Sequence, residues 1–375
     1  MPRQKRAFRR EPGGAKWREL SRKKDAPVPD LLDRFVYRAA SNARFSWYLG
    51  QKLLAERLVK PTPTPPELKA RLPSNPALLA DLRAMLAADL AQIEAGDFAP
   101  PADLAPHPVA ALRRAGAFFR DLGRVDQRRH AEHHQEVAAD PPTDGRFPRY
   151  YLQNFHYQTD GWLSRRSAAI YDHQVEVLFM GGADAMRRQA LPSIGRALAP
   201  IGQRNARLID IACGTGRFLR EVKNNWPRLS VTALDLSPFY LDEARDALAD
   251  WSGTRFLAAP AEAVPESDAS YEIATAIYLF HELPPRTRRE VAAELGRLVK
   301  PGGTCILVDS LQTGDRPEYD GLLDLFPVKF HEPYYASYLR EDLAALFNEA
   351  GFEPVGTRHA FLTKIVTFKK RNLIP

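Results

Sequence analysis

Residues 208–219 read LIDIACGTGRFL, and the architecture follows from how this stretch folds. RLIDIA (207–212) is short, apolar and β-prone, and it runs into a turn with Gly214 and Gly216 two apart. Arg217 onward returns to a helical pattern. A strand, a glycine turn and a helix in that order open a Rossmann-like unit. The glycines allow a tight turn and let a ligand approach bare backbone, and the helix offers unpaired N–H groups.

Working outward, the rhythm of alternating strand and helix persists to the C-terminus. VTALDL (231–236), TRFLAA (254–259), YEIATAIYLF (271–280) and TCILVD (304–309) read as strands. Ser237-Pro238 supplies an N-cap followed by proline at the first helical position. RREVAAELGRLV (288–299) and REDLAALFNEAGF (340–352) are helical patterns. EPVGTRH (353–359) and TKIVTFK (363–369) are joined too tightly for a crossover helix, so an antiparallel hairpin at the sheet edge is expected. Upstream, 31–58, 76–95 and 107–123 carry helical periodicity between the proline-rich stretches 61–66, 99–108 and 140–145. The expected organisation is a basic tail over 1–24, a helical accessory domain over 25–140, a helical lid over 141–204 and an α/β core over 205–375.

The 375 residues have ordinary soluble composition, 45% hydrophobic and 26% charged, with no run long enough for a membrane span. The net charge of +7 resides in the tail: residues 1–24 alone carry +8. Nucleic acid is therefore not an expected partner of the folded body, although such a tail can dock on phosphate polymers. Cys213 and Cys305 have no metal or redox spacing, and with no signal segment a cytoplasmic location is expected.

Asp235 stands nineteen residues after Gly216, at the end of the second strand, where a carboxylate can hold a ribose diol. The slot for a third glycine of a dinucleotide fingerprint is Leu219, which argues against a pyrophosphate. A ribose-bearing ligand without pyrophosphate fits better.

Together these segments resemble the class I S-adenosylmethionine-dependent methyltransferases, specifically the small-molecule branch that includes the ubiquinone/menaquinone C-methyltransferases. LIDIACGTGRFL is similar to the first motif and TALDLSPFYLDEAR to the acidic second motif. VPESDASYEIATAIYLFHELP is similar to the strand-four segment, and LGRLVKPGGTCILVDS to the strand-five signature. The resemblance implies a Rossmann-like seven-stranded methyltransferase sheet with a helical N-terminal accessory region, and S-adenosyl-L-methionine as cofactor. It places Gly214 and Gly216, with Ala212 in the slot of the family's first loop glycine, against the methionine moiety, with Asp210 hydrogen-bonding the loop or the ammonium. Asp235, with Leu236 beside it, is placed at the ribose, Glu262 near the adenine, and Tyr278 also against the cofactor.

Methyl transfer needs a general base when the acceptor carries a proton. His281, in the tip YLFHELPP (278–285), is the candidate, with Glu282 beside it, although neighbours after a strand tend to point apart. The aromatic segments 149–179 and 324–340 are expected to line the acceptor site through His156, Tyr157, Trp162, His331, Tyr334 and Tyr335. No metal site is expected: convergence of His156, His281 and His331 is conceivable, and His130, His133 and His134 read as solvated. The expected activity is methylation of a small, aromatic or conjugated acceptor, with a homodimer as a possible assembly. RNA or protein methylation through the tail, or a non-methylating protein that keeps the fold, stand as alternatives.

Overall fold

The computed structural model describes residues 31–101, 103, 108–139 and 147–372. The basic tail lies outside the described residues. Seven strands form one sheet: β1 (Arg207–Ile211), β2 (Ser230–Asp235), β3 (Thr254–Ala258), β4 (Tyr271–Ile277), β5 (Val299–Ser310), β6 (Phe352–Ala360) and β7 (Thr363–Lys370). Their order is β3-β2-β1-β4-β5-β7-β6. The first five named are parallel, and β7 pairs antiparallel with both β5 and β6. The edge hairpin expected from its short connection is present.

Alternation along the strands builds two cores. Ile209, Ile211, Cys305 and Leu307 face one side, where helices α8 (Pro285–Leu298) and α10 (Leu343–Glu349) supply Val291, Leu295, Leu346 and Phe347. Leu208, Ile273, Ile306 and Val308 face the other, against α5 (Leu191–Leu198), α6 (Arg217–Asn225) and α7 (Pro238–Ala247). Burial on both faces explains why these strands read as nearly continuous apolar runs.

The N-terminal helices are α1 (Leu31–Leu58), α2 (Asn75–Glu94) and α3 (Pro108–Ala131), and α4 (Arg165–Leu178) follows. Tyr37, Leu90 and Ile93 join the same core as α5 and α6. Buried Asp89 accepts from the Tyr37 hydroxyl and, at 2.7 Å, from Arg188 Nη2. Helices α1 and α2 therefore share a core with the sheet, whereas Phe118 of α3 packs in a separate cluster with Tyr48, Ala55 and Val177.

Two boundaries differ from the sequence reading. β4 ends at Ile277 and not at Phe280, because Tyr278 turns the chain with φ +56° and residues 280–282 form one 3-10 turn. The Lys300-Pro301-Gly302-Gly303 turn lies within the span of β5, as a register irregularity against β4 between Tyr271 and Ile273.

Candidate active site

The carboxyl ends of β1 and β2 meet at the glycine turn. Ala212, Gly214 and Gly216 have φ of +58°, +56° and +73°. The two glycines serve different purposes. A Cβ on Gly216 would sit 3.1 Å from Ala244 Cβ, so this position allows α6 to pack on α7; a Cβ on Gly214 would meet nothing within 4 Å. Gly214 thus fronts open space. Its N–H donates to Asp235 Oδ2 at 2.8 Å, and Ser237 N–H donates to Asp235 Oδ1 at 2.8 Å. Leu236 is half-buried between them.

Asp210 lies under the turn, 1% exposed. Its Oδ1 accepts from Thr275 Oγ1 at 2.6 Å, while Oδ2 has no partner. Burial pushes its pKa up to about 7, against the Thr275 hydrogen bond and with help from Asp235. Burial likewise raises Asp235 to about 6, against the backbone N–H groups that favour its ionised form.

These residues fit S-adenosylmethionine. The space before Gly214 admits the methionine end, the orphaned Asp210 oxygen suits an ammonium, and each Asp235 oxygen keeps a lone pair for a ribose hydroxyl.

The segment before α4 closes over this site. Tyr150 donates to both oxygens of Glu262, at 2.9 and 2.8 Å. Ser237 Oγ donates to Trp162 O at 2.6 Å, and Thr215 Oγ1 donates to both Asp172 oxygens at 2.9 Å. Here Glu262 latches the lid, and Tyr278 hydrogen-bonds Thr363 Oγ1 at 2.7 Å through its hydroxyl. Each thus has a hydrogen-bond partner within the protein, Tyr150 for Glu262 and Thr363 for Tyr278.

At the ends of β4 and β5 stands His281, 8% exposed. Its Nδ1 is 2.5 Å from Asp309 Oδ1, and Asp309 Oδ2 accepts from Phe280 N–H at 2.8 Å. Parallel register, with Ile277 beside Val308, delivers Asp309 to this position. Nε2 of His281 is 3.6 Å from Glu282 Oε1, so the two neighbours do meet, because they share a tight 3-10 turn and not an extended strand. Burial opposes the charged ring, but Asp309, then Glu282 and Glu332, raise its pKa to about 9.

Buried Arg288 fixes this tip. It donates to Phe280 O (2.9 Å), Tyr334 O (2.8 Å), Ser337 Oγ (2.7 Å) and Glu341 Oε2 (2.9 Å), tying the turn to the 334–341 segment. Tyr335 and Tyr338 stand edge-on to His281 at 5.9 and 6.1 Å between centroids. Phe326, in α9 (Asp320–Lys329), packs 5.1 Å from Tyr335. His156 lies within this group, with Nε2 3.5 Å from Glu282 Oε1 and Nδ1 2.9 Å from Glu332 Oε1.

The other expected acceptor residues form an outer layer. Trp162 stacks on Phe155 at 4.3 Å, and Tyr157 lies 5.9 Å from the His331 ring. His331 stacks on half-buried His134 at 4.0 Å and donates from Nε2 to Gln153 Oε1 at 2.7 Å; Gln153 also donates to Tyr334. Burial, with His134 beside it, lowers His331 to about 4. Sequence reasoning missed Asp309, Asp172, Tyr150 and Arg288. Asp309 alone carried a signal, as the last residue of a strand adjacent to the one bearing His281.

Residues 208–303 match a family model described as methyltransferase domain. With the strand order and the glycine turn, this places the domain among the class I S-adenosylmethionine-dependent methyltransferases. Among curated relatives, the ubiquinone/menaquinone biosynthesis C-methyltransferase UbiE of Desulfotalea psychrophila is 32% identical over 38% of this chain and 54% of its own length. The demethylmenaquinone methyltransferase of Deinococcus radiodurans is 31% identical over 37% of this chain and 55% of its own. The chain thus spans about half the length of these relatives. An O-methyltransferase family protein from Burkholderia thailandensis is similar in structure at TM-score 0.46 and 17% identity, covering 69% of this chain and 71% of that one. No described helix is long and apolar enough to cross a membrane.

Proposed function

We propose that this protein transfers a methyl group from S-adenosylmethionine to a small, aromatic or conjugated acceptor. The carrying observation is the Asp309–His281 pair, set among Tyr335, Tyr338 and Phe326 at the strand ends beside the glycine turn. When bound, S-adenosylmethionine supplies an already activated methyl on a sulfonium centre. The chain must then position the acceptor and manage its proton.

Asp210 would hold the methionine ammonium and Asp235 the ribose hydroxyls. Asp309 fixes the His281 ring and favours its charged form, so that at neutral pH Nε2 would donate to the acceptor's oxygen and would take the acceptor's proton only after losing its own. The tyrosine and phenylalanine faces would hold a flat acceptor and exclude water. Two relatives whose names specify ubiquinone or menaquinone methylation support a small-molecule acceptor.

The test is incubation with methyl-labelled S-adenosylmethionine and a fractionated cell extract. Label is expected in a small-molecule fraction with the unchanged protein and lost with His281→Ala. Label confined to RNA or protein, in particular label that also disappears on deletion of residues 1–24, would overturn the proposal.

A further inference from the structure

His156, Glu282 and Glu332 converge from three separate elements: the turn before α4, the turn after β4, and the segment after α9. Each offers one ligand atom, all within 4.8 Å of one another. That limit lies a little above what one ion holds, about 3.3–3.6 Å between tetrahedral ligand atoms and about 4.0–4.4 Å between opposed ones for bonds of about 2.0–2.2 Å, so a small closure of the carboxylates completes the site.

The carboxylates are only partly satisfied by their surroundings, each with one oxygen in ion-pair range of a His156 nitrogen. Glu282 is 7% and Glu332 4% exposed. Glu282 Oε2 and both oxygens of Glu332 have no hydrogen-bond partner. Glu332 Oε1 approaches His156 Nδ1 to 2.9 Å without the alignment of a hydrogen bond. Orphaned buried carboxylate oxygens are costly and require an explanation. A closed histidine–carboxylate ion pair would align donor with acceptor; a shared third atom would not need to.

The backbone is constrained in a way that fits a built site. His156 and Tyr157 hold φ of +54° and +57°, in the left-handed region. The His156 N–H donates to His331 O at 3.1 Å, which pins the strained turn beside Glu332. The Phe326 and Phe330 rings stand edge-on to His156 at 6.1 and 5.9 Å and wall the cluster. A quarter of the His156 side chain remains exposed and gives an entry path.

We propose that His156, Glu282 and Glu332 bind one divalent first-row transition-metal ion. One imidazole with two carboxylates is a borderline set that favours manganese, iron, cobalt or zinc over magnesium or calcium. The ion neutralises the orphaned carboxylates and lies next to His281, whose Nε2 is 3.6 Å from Glu282 Oε1. The site stands on its own geometry and does not depend on methyl transfer.

The test uses the full chain, stripped with a chelator and titrated with Zn2+, Mn2+ and Co2+ by calorimetry, with the visible spectrum of the Co2+ form as a second readout. One equivalent is expected, and Glu332→Gln and His156→Gln should each weaken binding by about 10–100-fold or more. Glu332→Asp, which keeps the charge, should retain more affinity than Glu332→Gln. Far-UV circular dichroism and thermal unfolding, measured on every variant, report that the fold is intact. Uptake below about a tenth of an equivalent by the unchanged protein, or equal affinity in folded variants, would overturn the proposal. No turnover is read, so failure here leaves the methyl-transfer proposal untouched, and failure of that proposal leaves this one untouched.

Discussion

Asp210 makes cofactor affinity dependent on pH in a calculable way. Its free oxygen is the proposed partner of the cofactor's ammonium, and only the ionised form can serve. In the free protein, burial raises its pKa to about 7 and that of Asp235 to about 6. Both carboxyls sit above their ordinary range, so protons compete with the ligand as pH falls. The ionised fraction of Asp210 drops from about 0.9 at pH 8 to about 0.1 at pH 6, a factor of about 10 in affinity. Asp235 contributes about a further twofold at pH 6. The Kd for S-adenosylhomocysteine, measured by calorimetry, should therefore rise about 20-fold between pH 8 and pH 6, with proton release on binding near pH 7. Asp210→Asn removes the charge: affinity at pH 8 should fall about 10–100-fold and the remaining pH dependence should shrink to about twofold. A flat Kd between pH 8 and 6, or an unchanged slope in Asp210→Asn, would refute the role given to this oxygen.

The paired glycines separate two effects. Gly216→Ala should destabilise the fold by about 1–3 kcal/mol in chemical denaturation, through both the strained φ and the Ala244 contact. Gly214→Ala should carry only the backbone penalty of about 1–2 kcal/mol, yet abolish measurable cofactor binding by filling the space in front of the turn. His281→Ala should lower kcat by about 10²–10⁴-fold with S-adenosylhomocysteine affinity within about twofold of the unchanged protein. Asp309→Asn should lower kcat with little change in acceptor KM, because it acts by holding the ring. Tyr150→Phe removes the hydroxyl that donates to both Glu262 oxygens, so amide exchange across 149–163 should speed up by about 3–10-fold.

The sheet was legible because its signals are local. Apolar runs at 207–211 and 304–309, the Ser237-Pro238 cap and the short 360–363 connection each report on their own neighbourhood. The capping bond is present, with Ser237 Oγ accepting from Tyr240 N–H at 3.4 Å. The end of β4 was misplaced because Tyr278-Leu279-Phe280 keeps strand-like composition while φ at Tyr278 is +56°. Composition does not reveal such a turn when the residue is not glycine. The turn was legible from its glycines and from the spacing to Asp235, and His281 from the strand tip that carries it. Asp210, Gly214 and Asp235 lie at the turn, whereas the Glu262 and Tyr278 hydrogen bonds go to Tyr150 and Thr363, residues more than 80 positions away in each case. Such partners depend on how the lid and the edge hairpin close, and no local pattern encodes them. The same holds for His156, Glu282 and Glu332, which span 176 residues of chain and are brought together by three turns.

The glycine turn and the Asp309–His281 pair serve one reaction centre in the proposed function. A crystal structure of the complex with S-adenosylhomocysteine is the sharpest test of that pairing. The expected result is the ammonium on Asp210, the ribose on Asp235, and the sulfur facing the residues His281, Tyr335 and Tyr338. A ligand whose sulfur points away from His281, or one that binds without contact to Asp210 and Asp235, would rule out a shared centre.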